Sequence, residues 1–314
     1  MKKKVLIKKI KKVSKKAVPL WLLFVLLLNA SMLTGFLEYY WMKKSFSKTI
    51  VELSKTTKNP QDLVLILKQE VLPQKGYKLS VKWGDIGRQL ISAGIIDEEK
   101  YKELFKDEPQ KDMQYLTHTS LDRMVINERN SRFMVNTLWA LGLVNKSKIL
   151  DEGSMREYSD GNIMGFSSTG GWTLGTQNTS VLYSSQEIIK LPPQQEELVK
   201  RIAQTVYRPC CGNHTEFPDC NHGMAALGYI ELAVRQGVPE RQIYKDLLAL
   251  NSFWFPQNYL ELSIYMYENG TEWKNIDAEL ALSSKYSSGQ GAQVIRESIQ
   301  NIPGLNIQSG GCSA

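Results

Sequence analysis

The chain has 314 residues, of which 42% are hydrophobic and 23% are charged, and it contains four cysteines. This composition excludes a disordered chain, a collagen-like repeat and a small disulfide-rich scaffold. The formal net charge is +7, but nine lysines and no acid fall in residues 1–16: Lys2, Lys3, Lys4, Lys8, Lys9, Lys11, Lys12, Lys15 and Lys16. The 39 Lys and Arg less these nine leave 30 against 32 Asp and Glu. The remaining chain is therefore near neutral, and we expect no nucleic-acid partner.

An uncharged apolar segment follows the lysines. Ala17–Leu37 is a run of 21 residues without a charged side chain, and about 20 apolar residues span a bilayer as a helix. Trp21 and Tyr39–Trp41 suit the two membrane interfaces. The basic flank predicts a cytoplasmic segment over 1–16, a transmembrane signal anchor over 17–42 and an extracytoplasmic body after it. The expected location is the cell membrane, with a single pass and a cytoplasmic amino terminus.

A cleaved signal peptide is the alternative interpretation of the same segment. It has a basic start, an apolar run and the small residues Ala30 and Ser31. Against cleavage, the apolar stretch continues to Leu37. Under both interpretations, the body of the protein is expected to be exported.

Helical spacing of apolar residues dominates the exported part, and the predicted fold class is mainly α. Before Pro192, residues 151–185 are rich in Gly, Ser and Thr and predict loops, with a short hairpin around Trp172–Leu182. Pro192-Pro193 marks a joint, so the expected domains are a helical region over 43–192 and a Cys/His-containing helical domain over 193–314. The predicted helices before the cysteines are, in chain order, one opening at Asn59-Pro60, one from Trp83 to Gly94, one capped by Asp97, one over 127–144 and one over 194–207.

The carboxy-terminal domain is predicted to be a unit of three to four helices. The first carries Met224 to Val234 and ends at Gly237, the second follows Pro239, and the third runs from Pro256 to Asn269-Gly270. The tail beyond Pro303 is rich in Gly and Ser and is expected to be loose.

The most informative stretch is RPCCGNHTEFPDCNHGM, residues 208–224. It places Cys210, Cys211, Cys220, His214 and His222 within 13 residues. Gly and Pro between the cysteines favour tight turns that would fold the two halves together. The second half also stands at the amino terminus of the helix that carries Met224, where the helix dipole favours a thiolate.

Metal binding is the first hypothesis for this cluster. Thiolate and imidazole bind zinc and soft copper. The predicted ligands are Cys210, Cys211, Cys220 and His222, with His214 as a substitute or supporting group. Zinc is the expected ion and copper the alternative, in a structural or a metal-handling role.

Two other hypotheses remain open. One is thiol redox chemistry, with Cys211 and Cys220 as the easier pair and Cys210 as the attacking or resolving thiol. The other is a set of structural disulfides that includes Cys312, for which four cysteines allow three pairings. The sequence contains no GxSxG, HExxH or Walker motif, so enzymatic activity and a protein partner are left open.

The motif CCGN…FPDCNHGMA, with NTLWALGLVNKSKILDEG and STGGWTLG upstream, resembles a group of uncharacterised membrane-anchored bacterial proteins. That resemblance covers most of the exported body and implies no activity. A weaker likeness, carried by IELAVRQGVPERQIYKDLL, is to cytochrome c maturation thiol proteins of the CcmH type. It implies one anchor, a three-helix exported bundle and Cys211 with Cys220 as a redox pair, although CC…CNH stands here in place of CxxC.

Overall fold

The computed structural model describes residues 60–300. The predicted basic segment, the predicted anchor over 17–42 and the tail with Cys312 lie outside the described residues. Within 60–300, every helix is too short or too polar to cross a bilayer. The anchor and the location that it implies stay predictions.

The described part is mainly helical, as predicted, and it also contains two strands, β1 (Tyr77–Gly84) and β2 (Ser120–Ile126). The α-helices are α1 (Pro60–Val71), α2 (Ile86–Ser92), α3 (Glu98–Leu104), α4 (Gln114–Thr117), α5 (Ser131–Val144), α6 (Lys148–Glu152), α7 (Ser154–Glu157), α8 (Ser167–Gly170), α9 (Thr179–Leu182), α10 (Pro193–Thr205), α11 (Asn221–Arg235), α12 (Glu240–Trp254), α13 (Pro256–Glu268), α14 (Ala278–Leu282), α15 (Ser284–Ser287) and α16 (Gly289–Ile299). Short 3₁₀ helices occupy Gln110–Met113, Ile163–Gly165 and Trp273–Asn275.

Local sequence features predicted the starts of several helices correctly. The helices α1 and α13 begin at Pro60 and Pro256, as predicted, because proline fixes a helical φ and needs no amide partner in the first turn. Asp97 caps α3, and its carboxylate accepts the N–H groups of Glu99 (3.1 Å) and Lys100 (3.2 Å). Such a cap satisfies amides that have no partner within the helix.

The two-stranded antiparallel sheet corrects the helix predicted from Trp83. In β1 the side chains of Leu79, Val81 and Trp83 are fully buried and alternate with exposed or half-buried ones. This period of two is that of a strand with one buried face, and the helix that follows begins at Ile86. β1 pairs with β2 with two irregularities in register.

The hairpin predicted around Trp172–Leu182 is wrong. The segment is a loop that ends in the single-turn helix α9. The loop is held by side-chain bonds instead of a strand ladder, since Trp172 Nε1 donates to Ile95 O (2.8 Å) and Thr179 Oγ1 donates to Trp172 O (2.9 Å).

The central contact of the fold is the crossing of α5 and α11. It depends on two glycines, because a Cβ on Gly142 would lie 2.1 Å from Met224 O and a Cβ on Gly228 would lie 2.6 Å from Leu138 O. Backbone therefore meets backbone at this crossing. Thirteen residues of α11 are buried, so the helix that begins at the cysteine cluster is also the centre of the core.

Asp246 on α12 links the sheet to the carboxy-terminal helices. Its fully buried carboxylate accepts hydrogen bonds from Tyr77 Oη (3.0 Å), Ser80 N (2.7 Å), Gln242 Nε2 (2.7 Å) and the hydroxyl of Tyr229. Four donors replace the water that a buried carboxylate loses. In addition, one hydrophobic core contains side chains from both sides of Pro192.

Candidate metal centre

Cys210, Cys211 and Cys220 lie on the loop between α10 and α11, and the loop folds back on itself. Tyr207 and His214 form an antiparallel bridge, and Thr215 fixes the turn by donating both its N–H (2.8 Å) and its hydroxyl (2.9 Å) to Val206 O. This pairing closes a tight turn around Cys210 and Cys211. The chain then returns to the start of α11, where Cys220 stands.

The loop is also tied to the carboxy-terminal helices. Tyr207 N donates to Leu282 O (2.8 Å), and Gly289 N donates to Cys211 O (2.7 Å). Asn251 Nδ2 adds a bond of 3.1 Å to Tyr207 O. Backbone groups of the cysteine turn are therefore fixed from two sides.

The sulfur atoms of Cys210, Cys211 and Cys220 all lie within 4.8 Å of one another, close enough to bind one metal ion. Cys210 Sγ and Cys220 Sγ are 3.6 Å apart. Cys220 is the N-cap of α11, and its sulfur accepts the N–H of Gly223 (3.4 Å). All three thiols are free in the described structure.

Arg208 is the residue of this site that the sequence analysis missed. Its side chain is almost completely buried, and Nε donates to Cys220 Sγ (2.9 Å). The other nitrogens donate to the carbonyls of Asn213 (3.1 Å) and Phe217 (3.0 Å) and to the Asp219 carboxylate (2.5 Å). A buried cation with every contact to an acceptor is a fixed charge beside the sulfurs.

Gly223 gives this guanidinium its space. A Cβ at this position would lie 2.5 Å from Arg208 Cζ. The sequence gives no local sign of this contact, because Arg208 and Gly223 are distant in the chain and most arginines are exposed.

The cysteine thiols differ in pKa. The pKa of Cys220 lies well below the usual thiol value, because it accepts hydrogen bonds from the Cys210 and Cys211 thiols. Partial burial opposes this shift, while the charge of Arg208 and a hydrogen bond with His222 add to it. The pKa of Cys210 is raised, since its hydrogen bonds to Cys211 and Cys220 favour the protonated form. Cys220 is therefore the sulfur most ready to bind a cation.

The structure places the two predicted imidazoles outside the three-sulfur group. His222 is buried, with its ring 4.4 Å from Phe255 and 5.7 Å from Trp254, measured between centroids. His214 stacks edge-on against Tyr207, its Nδ1 lies 3.8 Å from Glu216 Oε2, and burial lowers its pKa. Imidazole ligation by His222 or His214 stays a prediction.

Access to the sulfurs is uneven. Cys210 is exposed, whereas Cys211 and Cys220 are half-buried. A site of three thiolates with one open edge can take a soft or borderline cation and leaves a coordination position for a further ligand.

Comparisons with protein-family models, with curated proteins and with solved structures give no match to this chain. The resemblances described from the sequence motifs stay predictions.

Proposed function

We propose that this protein is a membrane-anchored, extracytoplasmic metal-binding protein whose ion is held by Cys210, Cys211 and Cys220. The observation that carries the proposal is the convergence of three free sulfurs within 4.8 Å. Cysteines used only as small apolar residues have no need to meet at a surface turn. Three thiols on one turn are a donor set that soft and borderline cations bind.

Charge balance supports zinc as the first candidate. Three thiolates carry a net charge of −1 with Zn²⁺ and of −2 with copper(I), and the only buried cation beside them in the described residues, Arg208, is shared between Cys220 and Asp219. Zinc prefers four ligands, so a fourth comes from water or from His222, two residues after Cys220. Copper(I) accepts three sulfurs without a fourth ligand and is the alternative ion.

The exposed edge at Cys210 favours metal handling over a purely structural role. Structural zinc sites are closed by four protein ligands, whereas this group offers three, one of them on an exposed residue. The fold also has an extensive core in the described residues, so its stability has other sources than an ion.

The metal test uses the full-length chain, purified in detergent with a reductant and without chelators. We expect about one zinc or copper ion per chain by elemental analysis, and loss of that ion in C210S, C211S and C220S. Cys312→Ser is the matched control, because it removes a cysteine from outside the cluster and should keep the ion. A metal-free wild type, or a C220S variant that still binds one ion, would refute the site.

The membrane placement is tested separately. The sequence over 17–42 and its lysine flank support it. In intact cells or spheroplasts, an external protease should digest the body of the full-length protein and leave a small cytoplasmic-side fragment. Complete protection of the body in sealed spheroplasts would show that it is not exported.

A further inference from the structure

We infer that Cys210 and Cys220 form a redox pair that controls this site, closing into an internal disulfide when an external disulfide oxidises them. The metal-releasing part of this inference rests on the proposed metal binding. The pairing itself does not, because it follows from the geometry of the two sulfurs.

The distance between the sulfurs supports this pair. Cys210 Sγ and Cys220 Sγ lie 3.6 Å apart, and a disulfide bond measures about 2.05 Å. Closing the gap therefore needs a movement of about 1.5 Å. Cys210 is exposed, so its side chain has room to make this movement.

The alternative pairs are less favourable. Cys211, which the sequence motif paired with Cys220, also has its sulfur within 4.8 Å of the other two, but it is half-buried and its carbonyl is held by Gly289 N (2.7 Å), so its backbone moves less easily than that of exposed Cys210. A Cys210–Cys211 bond joins adjacent residues and strains the intervening peptide. Cys210 is also the exposed member of the cluster, so an external molecule reaches its sulfur first.

The reaction proceeds in two exchanges. Cys210 Sγ, after its thiol has lost its proton to solvent, attacks one sulfur of the external disulfide, which breaks that bond and releases one external thiolate. The Cys220 thiolate then attacks Cys210 Sγ, which forms the internal bond and releases the second external thiolate. Two cysteines are oxidised, one external disulfide is reduced to two thiols, and the two cysteine protons end on those thiols or in solvent.

Arg208 positions Cys220 for the second exchange. Its Nε lies 2.9 Å from Cys220 Sγ, and the remaining contacts to carbonyls and to Asp219 fix the guanidinium. The sulfur that must attack is thus held beside its target. Oxidation removes two of the three sulfur donors, so a bound ion loses most of its coordination and leaves.

The first test uses metal-free, reduced, full-length protein and glutathione disulfide as the oxidant. We expect peptide mapping to find a Cys210–Cys220 cross-link in the wild type, in C211S and in C312S. In C220S, glutathione should stay attached to Cys210, because the resolving sulfur is gone and a bond to adjacent Cys211 is strained. A dominant cross-link of Cys211 with Cys220 or Cys312, or no internal cross-link at all, would overturn the inference.

The second test loads the same protein with zinc and follows its release with a coloured chelator. Glutathione disulfide should release the ion from wild type and C312S, and dithiothreitol should restore binding. A protein that binds zinc and gives no cross-link or release refutes the redox switch and keeps the metal site. A protein that forms the cross-link but never binds zinc or copper refutes the metal site and, with it, the switching of metal, while the redox pair stands.

Discussion

Replacement of Gly223 by alanine tests how the buried Arg208 supports the sulfurs. A Cβ at this position would lie 2.5 Å from Arg208 Cζ, 2.6 Å from Nη2 and 2.8 Å from Nε. Ordinary contacts need about 1 Å more, because dispersion contacts are optimal near 3.5–4.0 Å. A shift of that size breaks hydrogen bonds that now measure between 2.9 and 3.1 Å.

The expected cost follows from those bonds. A hydrogen bond to a charged group contributes about 1.5–3 kcal/mol, so the loss of two costs about 3–6 kcal/mol. Alanine gains up to about 1 kcal/mol over glycine in a helix. We therefore expect a net loss of about 2–5 kcal/mol in the free energy of unfolding, together with weaker metal binding because Cys220 loses its charged neighbour.

The assay is urea unfolding followed by tryptophan fluorescence, with zinc affinity measured by competition with a chelator. Gly212→Ala is the matched control, since it lies in the same loop beside Cys211 and a Cβ there meets nothing within 4 Å. We expect this control to unfold and bind like the wild type. If Gly223→Ala also retained wild-type stability and zinc affinity, Arg208 would not be the support inferred here.

Three further predictions concern the stability of the fold. Burial raises the pKa of Glu231 from 4.5 to about 8, so the contribution of Glu231 to stability is greatest below pH 4.5 and falls by about 1.4 kcal/mol per pH unit until about pH 8. Glu231→Gln should remove this contribution in urea titrations at several pH values, whereas exposed Glu187→Gln should leave it in place. Gly142→Ala should cost about 1–3 kcal/mol by forcing α5 away from Met224 O, and an unchanged urea midpoint would contradict the close crossing. Asp97→Ala should cost about 1 kcal/mol through its lost cap, and Asp97→Asn should restore most of it.

Local chemistry accounts for what the sequence predicted well. Proline at Pro60 and Pro256 and the carboxylate of Asp97 act within one helical turn, so their effects do not depend on the rest of the fold. The approach of the three sulfurs was also readable, because Gly and Pro shorten the path between Cys211 and Cys220.

What the sequence did not reveal depends on distant partners. β1 forms because β2, about 40 residues later, supplies its hydrogen bonds and the core covers one face. Burial of Arg208 likewise requires two loop carbonyls and a glycine on the next helix to surround it. An arginine beside a proline gives no local sign of such an enclosure, since most arginines are exposed.

The hydrogen bond from Gly289 N to Cys211 O links the cysteine cluster to the last described helix. Gly289 is the first residue of α16, so a change in the backbone at Cys211 is transmitted to the start of this helix. Metal binding or oxidation at the cysteines should then change the stability of that helix. Amide hydrogen exchange in residues 289–299 would therefore report the state of the cysteines from outside the cluster.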